Sequence, residues 1–343
     1  MRSPKILSGL ALFTLGTAYA AVPPEIASQL REIGRGVCVP ETAKIYRPLH
    51  GNPPYAGVSI ARDISFGPDA KNVLDVFSAE KGGGGKTVLI YVSGGAGNKI
   101  QGGENGDVFY DNIMLWAVKN GMTGVNMQRR PGTAWDDPAK DVALVVQWVH
   151  NNIARYKGNP KRVFIWSQSA GNIPVSTYIG HPEYYGPQGV GLKGAILMSP
   201  PNFDILPVTP PPPAGGRGGF APCGGGTAPA APAAAAKGGG KGDGKGGGGG
   251  GRGPAVDPAT QLARSNLPGL LKVNIPFFLA SAELDPPGMT EFNEVLKEQL
   301  CKAGHCPTVM VSKDQSHISE VMSVNTADDS VSGPILKWLR SVK

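Results

Sequence analysis

The chain has 343 residues, 41 % apolar and 17 % charged, which is enough to bury one large core or two modest ones and excludes a small scaffold held by disulfides alone. Its 50 glycines and 32 prolines are concentrated: residues 207–256 hold 19 of the former and 9 of the latter, and the remainder is ordinary globular material. The formal charge of +7 is concentrated too. Arg2 and Lys5 contribute two charges, and residues 207–256 a net four, so the body stands at +1 and lacks the electrostatic footprint of a nucleic-acid binder.

The chain opens on a basic start, Arg2 and Lys5, then an apolar run from Ile6 to Ala18 and the small-residue site Ala18-Tyr19-Ala20. This pattern predicts a signal peptide over residues 1–20, cleaved after Ala20, and hence a secreted or periplasmic protein. The run falls short of the ~20 apolar residues that span a bilayer, and no later segment is long enough, so no membrane span is expected.

Residues 24–34 carry Ile26, Leu30 and Ile33 on one helical face. Short apolar runs follow at Val73 to Phe77, Thr87 to Val92, Thr123 to Met127, Val163 to Trp166, Ala195 to Met198, Ile275 to Ala280 and Thr308 to Val311, each predicted as a strand. Between them lie helical patterns. In the clearest, Pro138 to Tyr156, an apolar stripe of Val142, Val145, Val146, Val149 and Ile153 follows an Asp137 cap and Pro138 at the first helical position. Alternating strands and helices imply an α/β fold with a mostly parallel central sheet and helices on both faces.

Residues 207–256, with a proline run at 210–213 and a glycine run at 246–251, cannot bury enough apolar surface to offset the entropy of ordering, and are expected to form a disordered insertion within one domain. Of the four cysteines, Cys301 and Cys306 are close enough for a local bridge across a helix-to-strand turn, whereas Cys38 and Cys223 could pair or stay free. A metal site at Cys301, His305 and Cys306 lacks a fourth ligand at recognisable spacing.

The chemistry centres on Ser167-Gln168-Ser169-Ala170-Gly171, directly after a predicted strand and opening a helical stretch. A serine on such a turn has its hydroxyl exposed above the sheet, with small residues two before and two after where the chain passes close to itself. Ser169 is the candidate nucleophile, and it needs a base that is itself oriented by an acid. Of five histidines, only His317 follows a late strand at its C-terminal end, within Ser316-His317-Ile318-Ser319. Asp285, after the strand beginning at Ile275, is the candidate acid, with Glu283 as its rival. Donors for a developing oxyanion should be the backbone amides of Gly94 and Gly95, in Ser93-Gly94-Gly95-Ala96-Gly97, and of Ala170. Gly85-Lys86-Thr87 imitates the end of a phosphate-binding loop, but Glu80 stands at the required leading glycine and a strand follows it, so it is a turn.

Over about residues 55–205 and 270–340 the chain resembles the α/β-hydrolase superfamily, specifically bacterial carboxylesterases near the hormone-sensitive-lipase-like and feruloyl-esterase-like groups. The likeness is carried by Leu74-Asp75-Val76, Ser93-Gly94-Gly95, Asp141 to Trp148, Ser167 to Gly171, Glu283 to Pro286 and Ser316 to Ser319, with the order Ser169, Asp285, His317 that this fold uses. It departs at two places: Ser93 stands where such families place a histidine, removing a side chain that steadies the oxyanion loop, and Ser167 stands where they place a glycine. The resemblance implies an α/β-hydrolase domain over residues 21–343 that hydrolyses small carboxylic esters through an acyl-enzyme, without metal or organic cofactor. The alternatives are a peptidase or amidase on the same fold, or a catalytically silent binding protein.

Overall fold

The computed structural model describes residues 19–130, 132, 134–208, 223 and 257–343. The expected signal peptide and insertion therefore lie almost wholly outside the described residues.

Eight strands form one sheet: β1 (Val58–Ser65), β2 (Val73–Ala79), β3 (Lys86–Val92), β4 (Thr123–Met127), β5 (Gly158–Gln168), β6 (Gly194–Met198), β7 (Phe277–Leu284) and β8 (Thr308–Ser316), in the order β1-β2-β4-β3-β5-β6-β7-β8. The pairs β1–β2 and β2–β4 are antiparallel; every other pair is parallel. The helices are α1 (Pro24–Ile33), α2 (Val39–Tyr46), α3 (Asp111–Lys119), α4 (Asp137–Asn152), α5 (Asn172–Gly180), α6 (Pro258–Ala263), α7 (Leu267–Lys272), α8 (Met289–Lys302), α9 (Ser319–Met322) and α10 (Ser332–Ser341).

Alternation along the strands divides the core between the two faces of the sheet. Leu89 and Tyr91 of β3 and Phe164 and Trp166 of β5 join Leu30 of α1, Tyr46 of α2, Ile113 of α3, Val321 of α9 and Ile335 of α10. Val88, Ile90 and Val92 of β3 and Val163 and Ile165 of β5 point the other way, onto Val142 and Val145 of α4, Val175 of α5, Leu270 of α7 and Leu296 of α8. Strands covered on both faces read as unbroken apolar runs, which is why the central strands were visible in the sequence.

Some expectations change. β1 was not anticipated: it is an edge strand, half-exposed, with Asp63 and Arg62 interrupting its apolar alternation. Asp137 is the first residue of α4, preceded by Asp136 at the cap position; its carboxylate accepts from Ala134 N at 2.8 Å. β7 runs on through Ala282, Glu283 and Leu284, residues expected in the following loop. Both cysteine pairs are bridged, Cys301 to Cys306 and Cys38 to Cys223, so the thiols of the Cys301, His305, Cys306 group are not free to hold a metal.

Because β3 and β5–β8 are parallel, their C-terminal ends line one edge. Ser93, Ser169, Ser199, Asp285 and His317 each follow directly on the last residue of one of these strands.

Candidate active site

At the end of β5 the chain turns sharply into α5, and Ser169 at the bend has φ +52°, a left-handed conformation that costs a non-glycine residue energy and persists only when its surroundings hold it. Asn172 does so: its side-chain amide donates to Ser169 O at 2.8 Å and to Met198 O at 2.7 Å, while its oxygen accepts from the buried Ser167 hydroxyl at 2.7 Å. Gly171 is required because a Cβ there would strike the carbonyl oxygens of Val92 and Ser93. The strained turn thus brings the nucleophile candidate against the end of β3.

The three residues singled out for catalysis meet. His317 Nε2 lies 2.9 Å from Ser169 Oγ, and His317 Nδ1 lies 2.8 Å from Asp285 Oδ1. Both His317 and Asp285 are buried. The other oxygen of Asp285 accepts from Ser199 Oγ at 2.6 Å and from Ala282 N at 2.8 Å. Glu283 is not brought to the histidine; it is exposed on β7 and accepts from Asp314 N at 2.7 Å.

Gly94 lies against the nucleophile: a Cβ on it would come within 2.6 Å of Ser169 Cβ. Gly95, next along, has its carbonyl held by the buried Arg129 guanidinium at 2.6 Å, and Arg129 N donates to Gly97 O at 2.8 Å. The loop is therefore braced without the histidine such families carry. Ser93 Oγ contributes by donating to Asn98 O at 2.8 Å, closing the loop on itself.

Known proteins resemble the chain in the same places. A sequence model described as the carboxylesterase family matches residues 138–212, and one described as BD-FAE matches residues 74–174. Esterase B of Lactobacillus rhamnosis superposes with a TM-score of 0.57 at 13 % identity, over 88 % of this chain and 89 % of its own. An esterase of the bacterial hormone-sensitive lipase family does so with a TM-score of 0.53 at 14 % identity, over 93 % and 97 %. The chain has the α/β-hydrolase fold.

Among curated relatives, a probable isoprenylcysteine alpha-carbonyl methylesterase of Arabidopsis thaliana is 30 % identical over 115 residues, 33 % of this chain and 23 % of that protein. Secreted lipase 5 of Gibberella zeae is 49 % identical over 59 residues, 17 % of this chain and 10 % of that protein. The chain thus matches less than a quarter of the length of either.

Several residues of the site were not anticipated. Gln168, at the variable position of the elbow, donates through Nε2 to His317 O at 2.9 Å and so fixes the histidine loop to β5. Ser199, with φ +47°, donates to Asp285. Lys99, just past the glycine loop, reaches with its ammonium to Asp75 and Asp63, while its carbonyl accepts from Asn126 Nδ2 at 2.8 Å. Asp75 also accepts from Arg62 at 2.8 Å, and Arg62 reaches Asp111 at 2.8 Å. The glycine loop's downstream stem is therefore tied to a partly buried ion network. Asp75, in the Leu74-Asp75-Val76 segment, was legible as a matching residue but not as the centre of this network.

Two groups of three potential metal ligands occur among the described residues, Cys38 with Glu41 and Cys223, and Asp285 with His317 and Glu320. In the first the sulfurs are bonded to each other. In the second Asp285 and His317 are already joined, and all three residues are buried.

Proposed function

We propose that the protein is an exported serine carboxylesterase, a single catalytic domain hydrolysing small carboxylic esters through an acyl-enzyme at Ser169. The reading is carried by one observation: the contacts Ser169 Oγ to His317 Nε2 at 2.9 Å and His317 Nδ1 to Asp285 Oδ1 at 2.8 Å, presented by a strained strand-to-helix turn.

Asp285, accepting from Nδ1–H, selects the tautomer whose Nε2 carries a lone pair toward Ser169. The Ser169 hydroxyl then attacks the ester carbonyl as its proton passes to Nε2, and the resulting imidazolium is stabilised by the adjacent carboxylate. The carbonyl oxygen becomes an oxyanion, received by the amides of Ala170, Gly94 and Gly95, which need no reorganisation as charge develops. Collapse of the tetrahedral species breaks the bond to the alcohol oxygen, which takes the proton back from Nε2 and leaves an acyl-Ser169 ester. Water, deprotonated by the same histidine, attacks that ester and releases the acid.

Export is supported by the basic, then apolar, then small-residue pattern of residues 1–20 and by two disulfides, which persist in oxidising compartments. No helix among the described residues is long and apolar enough to cross a membrane. A serine-reactive phosphonate tests the mechanism. It should label Ser169 stoichiometrically and abolish turnover of a short-chain nitrophenyl ester; ester turnover that survives in Ser169→Ala would refute the assignment.

A further inference from the structure

The glycine loop is held by a cation that no carboxylate pairs among the described residues. Arg129, just beyond β4, is buried and donates from Nη2 to Gly95 O at 2.6 Å, while its backbone N–H holds Gly97 O. Its side chain packs directly on the loop, since a Cβ on Gly97 would come within 2.6 Å of Arg129 Cβ and 2.9 Å of its Nε. That Nε is buried and has no hydrogen-bond partner. The carboxylate whose charge reaches Arg129 is Asp141 on α4, and both oxygens of Asp141 accept from Arg130 Nε at 2.9 Å. The exposed Asp69 extends to Arg130 as well, at 3.6 Å. Burial pulls the Arg129 guanidinium below its ordinary pKa, with Asp141 opposing, and an arginine so placed stays charged.

Holding a carbonyl in place needs a donor, not a charge. A glutamine or asparagine could hold Gly95 O without the desolvation penalty of a guanidinium that lacks its own anion. A buried cation of this kind is unfavourable at rest and becomes favourable when an anion forms beside it. The anion this site generates is the oxygen of the tetrahedral intermediate above Ser169. Gly94, whose missing Cβ leaves room for Ser169 Cβ, and Gly95, whose oxygen Arg129 holds, are consecutive residues, so the cation stands behind the loop that receives this oxygen. Accepting a charge-assisted hydrogen bond also polarises the Gly95–Ala96 peptide unit, drawing its oxygen end toward the guanidinium and leaving its N–H end more positive.

We propose that Arg129 is a positioning residue whose charge, beyond its hydrogen bond, serves the reaction: acting through the glycine loop, it stabilises the oxyanion that develops above Ser169. The proposal rests on the esterase reading, and it goes beyond the bracing of the loop because it assigns a task to the cation itself. Bracing alone predicts that any donor of the right reach replaces Arg129. Oxyanion stabilisation predicts that only a cation does.

A trifluoromethyl ketone tests it on the full-length protein. Ser169 Oγ adds to the ketone carbon as its proton passes to His317 Nε2, and the hemiketal oxygen, ionised to an oxyanion, titrates with a pKa read by carbon-13 NMR of the labelled ketone carbon. The titratable groups on the His317 side are Asp285 and Glu320 behind it, and on the loop side Arg130 and Asp141 beside Arg129; the variants change Arg129 alone. Arg129→Gln keeps a neutral donor for Gly95 O, so the oxyanion pKa should rise by about one unit and kcat fall about tenfold, with KM little changed. Arg129→Met removes the donor too and should lose about tenfold more in kcat. Arg129→Lys supplies a point charge, which suffices where a single guanidinium nitrogen is bonded, and should restore the oxyanion pKa to within about half a unit and kcat to within about threefold. An oxyanion pKa in Arg129→Gln equal to the native value, or Arg129→Lys as impaired as Arg129→Gln, refutes the inference. Where melting shows Arg129→Gln unfolded, Arg129→Lys decides: a native oxyanion pKa supports the role of charge and a raised one refutes it. A native protein that forms no ketone adduct at Ser169 refutes the esterase reading itself, a result distinct from an adduct whose titration ignores Arg129.

Discussion

Replacing Asp285 by asparagine is the sharpest test of how the base is set. Asp285 is surrounded by donors: His317 Nδ1 on one oxygen, and Ser199 Oγ and Ala282 N together on the other. An asparagine has only one oxygen to offer. It should turn that oxygen toward the side with two donors and present its NH2 group to Nδ1, forcing the proton onto Nε2, which then faces Ser169 as a donor and cannot accept. The expected loss in kcat is about 10³- to 10⁴-fold, the scale for a histidine held in the wrong tautomer. Glu283→Gln is the control, since Glu283 is exposed and holds only Asp314 N; it should change kcat less than twofold, within the small effect of an exposed polar contact. The assay is steady-state hydrolysis of a nitrophenyl ester across pH, with thermal melting to establish that each variant is folded. Asp285→Asn within tenfold of the native rate, or Glu283→Gln as damaged as expected for Asp285→Asn, would refute the assignment of the acid.

Lys99→Met should lower kcat about ten- to hundredfold with a smaller change in KM, because it frees the stem of the loop that presents Gly94 and Gly95; a loss seen only in melting temperature would reduce the network to a structural role. Glu320 has a folded pKa above its unfolded value, so the folded state keeps the extra proton, and its contribution to stability is present below the unfolded carboxyl range and lost as pH rises toward the folded value. Glu320→Gln should therefore gain stability relative to the native protein above about pH 4.3, by at most about 1.4 kcal/mol per pH unit, and urea unfolding from pH 4 to 8 that gives parallel curves would contradict this. Breaking Cys38–Cys223, which spans 185 residues, should cost more than breaking Cys301–Cys306, which spans 5; loop-closure entropy gives about 5 against about 2 kcal/mol, and melting of the two paired serine variants compares them.

The inner parallel strands were legible in the sequence because both faces of each are covered, and the elbow because its small residues are demanded by close passage of backbone. What stayed hidden depends on contacts distant in the chain. β1 reads poorly since an edge strand needs no continuous apolar run, and here it spends Arg62 and Asp63 on ion pairs. Asp285 and Glu283 could not be separated by strand alternation, being two residues apart and of equal parity. What separates them is that β7 ends at Leu284 and the chain turns, with Asp285 N donating to Ala282 O at 3.1 Å, so that Asp285 swings inward while Glu283 stays on the exposed face. Glu320, Ser199 and Gln168 carry no local signature, since a buried polar residue is recognised by what surrounds it.

The two departures from the family pattern have the same physical character. A glycine at 167 would remove the hydroxyl that Asn172 Oδ1 accepts from, leaving a buried acceptor short of a donor beside the side chain that restrains the strained Ser169. Ser167 is therefore part of how this elbow is held. Ser93 closes the glycine loop onto Asn98 O, and Arg129 takes hold of Gly95 O from the end of the neighbouring strand. The backbone whose amides we propose as oxyanion donors is fixed by hydrogen bonds to its carbonyls, and any well-placed donor can supply them. A motif written as side-chain identities registers a loss at both positions, whereas the rigidity of the loop and turn beside Ser169 is supplied by different residues.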